Sequence, residues 1–255
     1  VMTRAFVVIA ILLLTGSAAA AEPRHEGAVG VAASITQVRD DLLVPLRFAG
    51  PGLALAGRWR YGGRDLETET SLQLGAATVF DRHGTLNLVL EPSLSTHLRG
   101  RLATGRWGAL WLGGAMVSRS VLAQLQGWDD ARLYWLAMRA LGPSARWEAP
   151  LLDGYSLESQ LVVPIVALVS RPEEHRLYKS DDLVDVGFYL ARFGASPRLA
   201  TLPELMSVAW RTTLRKEGPG LRVYPWVLVE LDTFAAPRRV THLAAWAGIE
   251  LRFGR

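Results

Sequence analysis

The chain contains no cysteine. That removes disulfides, thiolate metal sites and cysteine nucleophiles together, and an exported chain so built is held by its core or by a membrane. Past the N-terminus there is no run of about 18 uncharged apolar residues, so no spanning helix is expected. Gly-rich phosphate loops, zinc-type histidine pairs and nucleotide fingerprints are missing as well. The excess of basic residues is slight, 28 against 24 acidic, which is too mild to argue for nucleic acid. No internal repeat or low-complexity segment stands out beyond a hairpin rhythm.

What is present is apolarity with regular interruption. Of the 255 residues half are hydrophobic and 20% are charged, a size suited to one large all-β unit. High apolarity without a spanning helix fits a sheet whose outer surface faces lipid. The first residues read as an export signal. Arg4 is a short positive region, Phe6 to Leu14 an apolar core, and Ala19-Ala20-Ala21 a small-residue cleavage site before Glu22. The expected division is a signal peptide over residues 1–21 and one domain over 22–255.

The dominant pattern is period two, the mark of a strand between two unlike environments. Leu66, Thr68, Thr70, Leu72, Leu74, Ala76 and Phe80 alternate with Asp65, Glu67, Glu69, Ser71, Gln73 and Gly75. Leu86, Leu88, Leu90, Leu94 and Leu98 alternate with Asn87, Glu91, Ser93, Ser95, His97 and Arg99. Leucines at i, i+2 and i+4 would circle a helix evenly, so the helical reading fails. These strands run roughly 12–16 residues, longer than the 5–6 usual in globular sheets.

Further strands are expected at 27–39, 53–61, 106–121, 132–140, 146–152, 155–170, 183–193, 205–215, 221–234 and 239–253. Gly50-Pro51-Gly52, Gly62-Gly63, Asp81 to Gly84, Gly142-Pro143-Ser144 and Glu217 to Gly220 supply the punctuation. The count is twelve. It falls to ten if 205–215 is instead a helix, capped by Thr201, Pro203 and Glu204, and 146–152 belongs to a turn. The twelve-strand version puts the long 171–182 loop on the side where turns are usually short.

The last strand carries a resemblance. From Thr241, every second residue (Leu243, Ala245, Ala247, Ile249, Leu251, Phe253) is apolar, while the other face holds His242, Glu250 and Arg252. An apolar-out, polar-in strand ending in an aromatic resembles the closing strand of bacterial outer-membrane β-barrels, although Gly254 and Arg255 follow Phe253. The resemblance implies a closed antiparallel transmembrane barrel of about twelve strands (alternatively ten) in the outer membrane of a Gram-negative bacterium. It also implies Phe253 as a C-terminal assembly signal. The implied surroundings are outer-membrane lipid and lipopolysaccharide, the barrel-assembly machinery during insertion, and an envelope protein partner. No cofactor is expected. Trp59, Tyr61, Tyr155, Tyr189 and Phe253 fall on outward faces toward strand ends, where aromatic belts sit.

The inward faces hold the candidate site. Arg58, Arg60, Glu67, Glu69, His97, Arg99, Glu250 and Arg252 fall toward the terminal half of a barrel and are expected to form a lumenal charge network. Such a network either plugs the lumen or makes a charged constriction that selects solutes. Three aspartate pairs in loops, Asp40-Asp41, Asp129-Asp130 and Asp181-Asp182, are weak candidates for divalent cations; solvated, turn-forming acids account for them better. A lipid hydrolase of the outer-membrane type would place a serine two residues after its histidine. His97 is followed by Leu98 and Arg99, and His242 by Leu243 and Ala244. A serine from another strand remains the way such a site would arise. The reading is a barrel with a structural or partner-binding role, with a narrow channel and a lipid hydrolase as alternatives.

Overall fold

The computed structural model describes residues 24–41, 46–81, 84–125, 132–171, 178–179, 197–216, 222–235 and 238–254. The export signal expected over 1–21 and the strand expected at 183–193, with Tyr189, lie outside these residues. So do Asp129-Asp130 and Asp181-Asp182.

The strands are β1 (Arg24–Asp40), β2 (Leu46–Gly62), β3 (Leu66–Asp81), β4 (Leu86–Gly105), β5 (Gly108–Leu125) and β6 (Arg132–Pro150). They continue as β7 (Tyr155–Val162), β8 (Val166–Ser170), β9 (Tyr178–Lys179), β10 (Arg198–Thr201), β11 (Leu205–Lys216), β12 (Arg222–Phe234) and β13 (Val240–Gly254). Every pairing is antiparallel. β1 joins the last strand, with Gly27 opposite Phe253 and Asp40 opposite Val240. β6 joins β7, and the ring of ten closes through β11, β12 and β13. β8 pairs with β6 beyond the stretch taken by β7, and β10 pairs with β8.

Among the described residues the ring therefore counts ten strands, but neither of the two changes expected to give ten occurs. Residues 205–216 are a strand, not a helix. The pieces expected at 132–140 and 146–152 are one strand running straight through Gly142-Pro143-Ser144. Pro143 lies opposite Gly114, and its carbonyl still accepts from the Val163 N–H, so the proline removes one donor without ending the ladder. Gly50-Pro51-Gly52, expected as a loop, likewise pairs inside β2 with Ser34, Ile35 and Thr36. Arg106-Trp107, expected to begin a strand, forms the β4–β5 turn, closed by Gly108 at φ 101°. With ten strands, β9 pairs with the first residues of β6 at the end away from both termini, the side where long loops belong.

The two faces are inverted relative to a soluble protein. Leu53 is 71% exposed and Arg99 is 0% exposed. Along β3, Leu72, Leu74 and Phe80 face outward while Glu67, Glu69, Gln73 and Val79 are buried. A closed ring satisfies the backbone without edges, and an apolar exterior then suits hydrocarbon. Trp59, Tyr61, Trp107, Trp147 and Phe253 are exposed near the end that carries the termini, in the position of an interfacial belt.

The lumen is filled in layers. Toward the end away from the termini, Val38, Phe48, Val79, Val89, Tyr134, Leu205 and Phe234 belong to one buried apolar cluster. That layer explains the two-faced apolarity of 132–140, since Tyr134, Leu136, Met138 and Ala140 all join it. Below it sits a smaller group around Trp226 and Trp246. Ala115, Val117, Val162 and Ala209 form a third apolar group, and polar and charged residues occupy the remainder.

Candidate functional site: the lumenal charge layer

Alternation alone aims the charges inward. On β2, Arg58 and Arg60 are buried between outward Trp59 and Tyr61. On β3, Glu67 and Glu69 do the same, and on β13 Glu250 and Arg252 follow outward Ile249. The register then sets who meets whom.

Arg58 donates to Glu158 of β7 at 2.7 Å and also binds Glu250. Arg60 donates to Glu158 at 2.8 Å and to Glu69 at 2.8 Å through its Nε. Glu67 receives Arg99 at 2.9 Å and Arg146 at 2.6 Å. Glu250 receives Arg211 at 2.6 Å and Arg252 at 2.6 Å, while Arg252 also reaches Glu26 at 2.7 Å. Arg215 spans Glu148 and Glu158 at 2.9 and 3.0 Å.

Among the described residues this layer holds seven arginines (58, 60, 99, 146, 211, 215, 252) and six glutamates (26, 67, 69, 148, 158, 250). The signs nearly cancel, which is the condition for keeping ions in a poorly hydrated lumen. Aromatic faces line the wall behind them. Arg146 lies 4.9 Å from the Trp111 ring, Arg211 4.3 Å from Trp226, and Arg252 4.7 Å from Tyr224, in cation–π range. With Trp111 from β5 and these two from β12, every strand of the ring contributes to the layer.

A second polar group lies nearer the apolar layer. Thr36 donates to Glu91 at 2.9 Å. His242 stands between two carboxylates, with Nε2 3.2 Å from Glu91 and Nδ1 3.3 Å from Asp232. Asp232 accepts from Arg119 at 2.8 Å and from Ser207, and Arg119 also faces Glu230 at 2.9 Å. Between the two groups is a cavity of about 60 Å³ with a mixed lining, in which Ser93, Ser95, His97 and Arg119 face Val117, Val162 and Leu228. Space of that size, with polar partners on one side, suits a few water molecules.

His97 is held on this cavity wall. Its Nε2 lies 3.0 Å from Ser95 Oγ and its Nδ1 3.0 Å from Ser144 Oγ, which also accepts from Arg99 at 2.9 Å. The neighbouring serine precedes the histidine by two residues on the same strand, whereas the spacing sought in the sequence was two residues after it. His242 has no hydroxyl on its ring nitrogens; carboxylates occupy both.

All eight residues expected in the network face the lumen, and seven of them share the ion-paired layer, with His97 beside it. Glu158 and Arg146 were missed, although both are central. Glu158 carried a signal, since Ser156, Glu158 and Gln160 alternate with Leu157 and Leu161. Arg146 was hidden by the supposed turn before it. Asp40 and Asp41 do not act together: Asp40 is buried and bonded by Tyr134 and Arg171, whereas Asp41 pairs with Arg39 at 2.8 Å. Phe253 lies outward with its ring over Gly27, a pairing that covers an otherwise bare strand backbone.

No protein-family model matches the chain, and no curated protein does. Among solved structures it is similar to the outer-membrane protease OmpT from Escherichia coli at 7% identity and a TM-score of 0.55. That match covers 94% of this chain and 100% of that one. It is also similar to the translocator domain of the autotransporter NalP from Neisseria meningitidis, at 9% identity and a TM-score of 0.42 over 99% and 95% of the two chains. The β domain of the Bordetella autotransporter BrkA matches at 12% identity and 0.39 over 88% and 98%. The likeness to OmpT is one of fold: a closed antiparallel barrel of the outer-membrane type.

Proposed function

We propose that the protein is an outer-membrane barrel with a sealed lumen, serving the envelope as a structural or partner-binding element. The observation that carries this reading is the contact of Arg58 on β2 with Glu158 on β7 at 2.7 Å. These strands lie opposite one another in the ring, so a salt bridge crosses the whole bore. The apolar layer above it supports the same reading, because buried Val, Leu and Phe side chains fill that part of the bore. An exterior of exposed leucine, valine and tryptophan supports placement in a bilayer.

Purified protein reconstituted in planar lipid bilayers tests the proposal. The expected result is no unitary conductance. Stable conductance from the unmodified chain would overturn it in favour of the channel, whose ion selectivity would then change on charge reversal at Arg58 or Arg99. Protein that is soluble without detergent and runs identically boiled and unboiled would sink the membrane placement itself.

One observation favours a second, hydrolytic reading: the Ser95–His97–Ser144 hydrogen-bond chain on the cavity wall. There a histidine nitrogen is placed to take the Ser95 proton. Those groups face the lumen, away from the lipid. A fluorophosphonate adduct on Ser95 would establish the reading, and an unmodified Ser95 would remove it.

A further inference from the structure

The barrel wall has one seam in which the strand ladder lapses. Between β7 and β11 the pairing stops at Val162–Ala209, and between β8 and β10 it resumes at Val166–Thr201. In that interval residues 163–165 face residues 202–208, three against seven. Pro164 and Pro203 fall there and donate nothing. The backbone hydrogen bonds that remain point away from the seam. Val163 and Ile165 donate to Pro143 and Leu141 on β6, and Ala235 donates to Glu204. Among the described residues no backbone hydrogen bond crosses between the two segments.

Both sides of this seam carry large apolar side chains, with Glu204 and Ser207 the polar exceptions. On the outer surface Leu161, Ile165, Leu202 and Met206 are exposed, Leu202 by 57%. Behind it, facing the lumen, Leu205 is 1% exposed and Val169 3%. These two border a cavity of about 20 Å³, whose wall includes Met138 and Phe234 and whose floor is Arg119, Asp232 and His242. Elsewhere in a bilayer an unpaired stretch of backbone would be costly. Here the unpaired stretch carries apolar side chains on its lipid side, and Leu205, in the same stretch, borders the small apolar cavity on the lumenal side.

We infer that this seam is a lateral opening through which the acyl chain of a membrane lipid enters the outer half of the lumen. The inference rests on the membrane placement proposed above. The cavity is smaller than an acyl chain, so entry requires its side chains to turn aside. Met138, unbranched and flexible, is suited to that. The occupant is assigned from the chemistry of the path, since the exposed rim residues Leu161, Ile165, Leu202 and Met206 are apolar and the cavity wall is apolar apart from Thr233 above the charged floor. Sealing of the bore and access from the side are compatible, because the charge layer lies on the terminal side of the cavity.

The test uses the protein in proteoliposomes containing a phospholipid with a photoactivatable diazirine on its acyl chain, with adducts mapped by mass spectrometry. The expected adducts fall on lumen-facing Leu205, Val169 or Met138 as well as on outward residues such as Leu53 and Leu72. Adducts confined to outward residues would overturn the inference while leaving the membrane placement intact. Adducts as frequent on Val79 and Val89, buried in the same layer on fully paired strands, would also overturn it. Absence of adducts on Leu53 and Leu72 would instead sink the membrane placement. The second arm is a disulfide across the seam edge, Val166→Cys with Thr201→Cys, in a chain that has no other cysteine. Oxidation is expected to cut the lumenal adducts at least tenfold and reduction to restore them. Unchanged adducts in the oxidised protein would count against the opening.

Discussion

Arg58 on β2 and Glu158 on β7 stand five strands apart in either direction around the ring, yet their side chains meet at 2.7 Å. Glu158 also takes Arg60 and Arg215. One carboxylate thus gathers three cations from two strands, β2 and β11, at the centre of the bore.

Glu158→Gln is expected to destabilise the barrel by about 3 kcal/mol, the scale seen when one partner of a buried ion pair is removed. Arg58 and Arg60 keep Glu250 and Glu69, which limits the loss. Urea unfolding in detergent micelles, followed by tryptophan fluorescence, measures it. The same variant widens the excess of positive over negative charge in the layer. Any conductance it gains in planar bilayers is therefore expected to favour anions, and cation selectivity would contradict the assigned layer.

The stability of the layer is expected to respond little to salt, because its charges are buried and poorly screened. The pairs Arg39–Asp41 and Arg101–Asp65 are more exposed and contribute little in any case. Raising sodium chloride from low to molar concentration should shift the urea midpoint only slightly. A large downward shift would mean that the lumen is open to ions.

Arg119 and Asp232 link β5 to β12 at 2.8 Å in the second polar group. A double-mutant cycle with Arg119→Met and Asp232→Asn is expected to give a coupling of about 0.5–3 kcal/mol. Additive effects would show that the two act separately.

Trp246 on β13 lies against Gly75 of β3 inside the lumen, so any Cβ at that position would run into the indole ring. Gly75→Leu is expected to lower the yield of folded, heat-modifiable barrel, and Trp246→Ala in the same chain to recover part of it. No recovery would place the cost elsewhere.

Phe253 covers Gly27 from outside on the closing pair of strands. Phe253→Ala is expected to reduce the amount assembled in the membrane more than it affects the stability of the barrel once formed. Normal membrane levels of the variant would remove Phe253 from any role in assembly.

Much of the wall was legible in the sequence because the side-chain period of a strand is local. Leu72, Leu74 and Phe80 on one side of β3 and Glu67 and Glu69 on the other follow from alternation, without knowledge of any neighbour. The inward direction of Arg58, Arg60, Arg99, Glu250 and Arg252 follows in the same way. Gly142-Pro143-Ser144 and Gly50-Pro51-Gly52 misled because their turn propensity is also local, while their place in the sheet comes from the strands on either side.

Closure and partnership belonged to the tertiary structure. The ten-strand count depended on β6 running unbroken and on β1 meeting β13, and neither is encoded in a short window. That Glu158 rather than Glu67 answers Arg58 is decided by the register of ten strands taken together, which turns residues 100 positions apart into neighbours across the bore. The sequence by itself determined which side chains face inward. Only the closed ring decided which of them touch, because an ion pair across a lumen depends on circumference and stagger, and no single strand carries either.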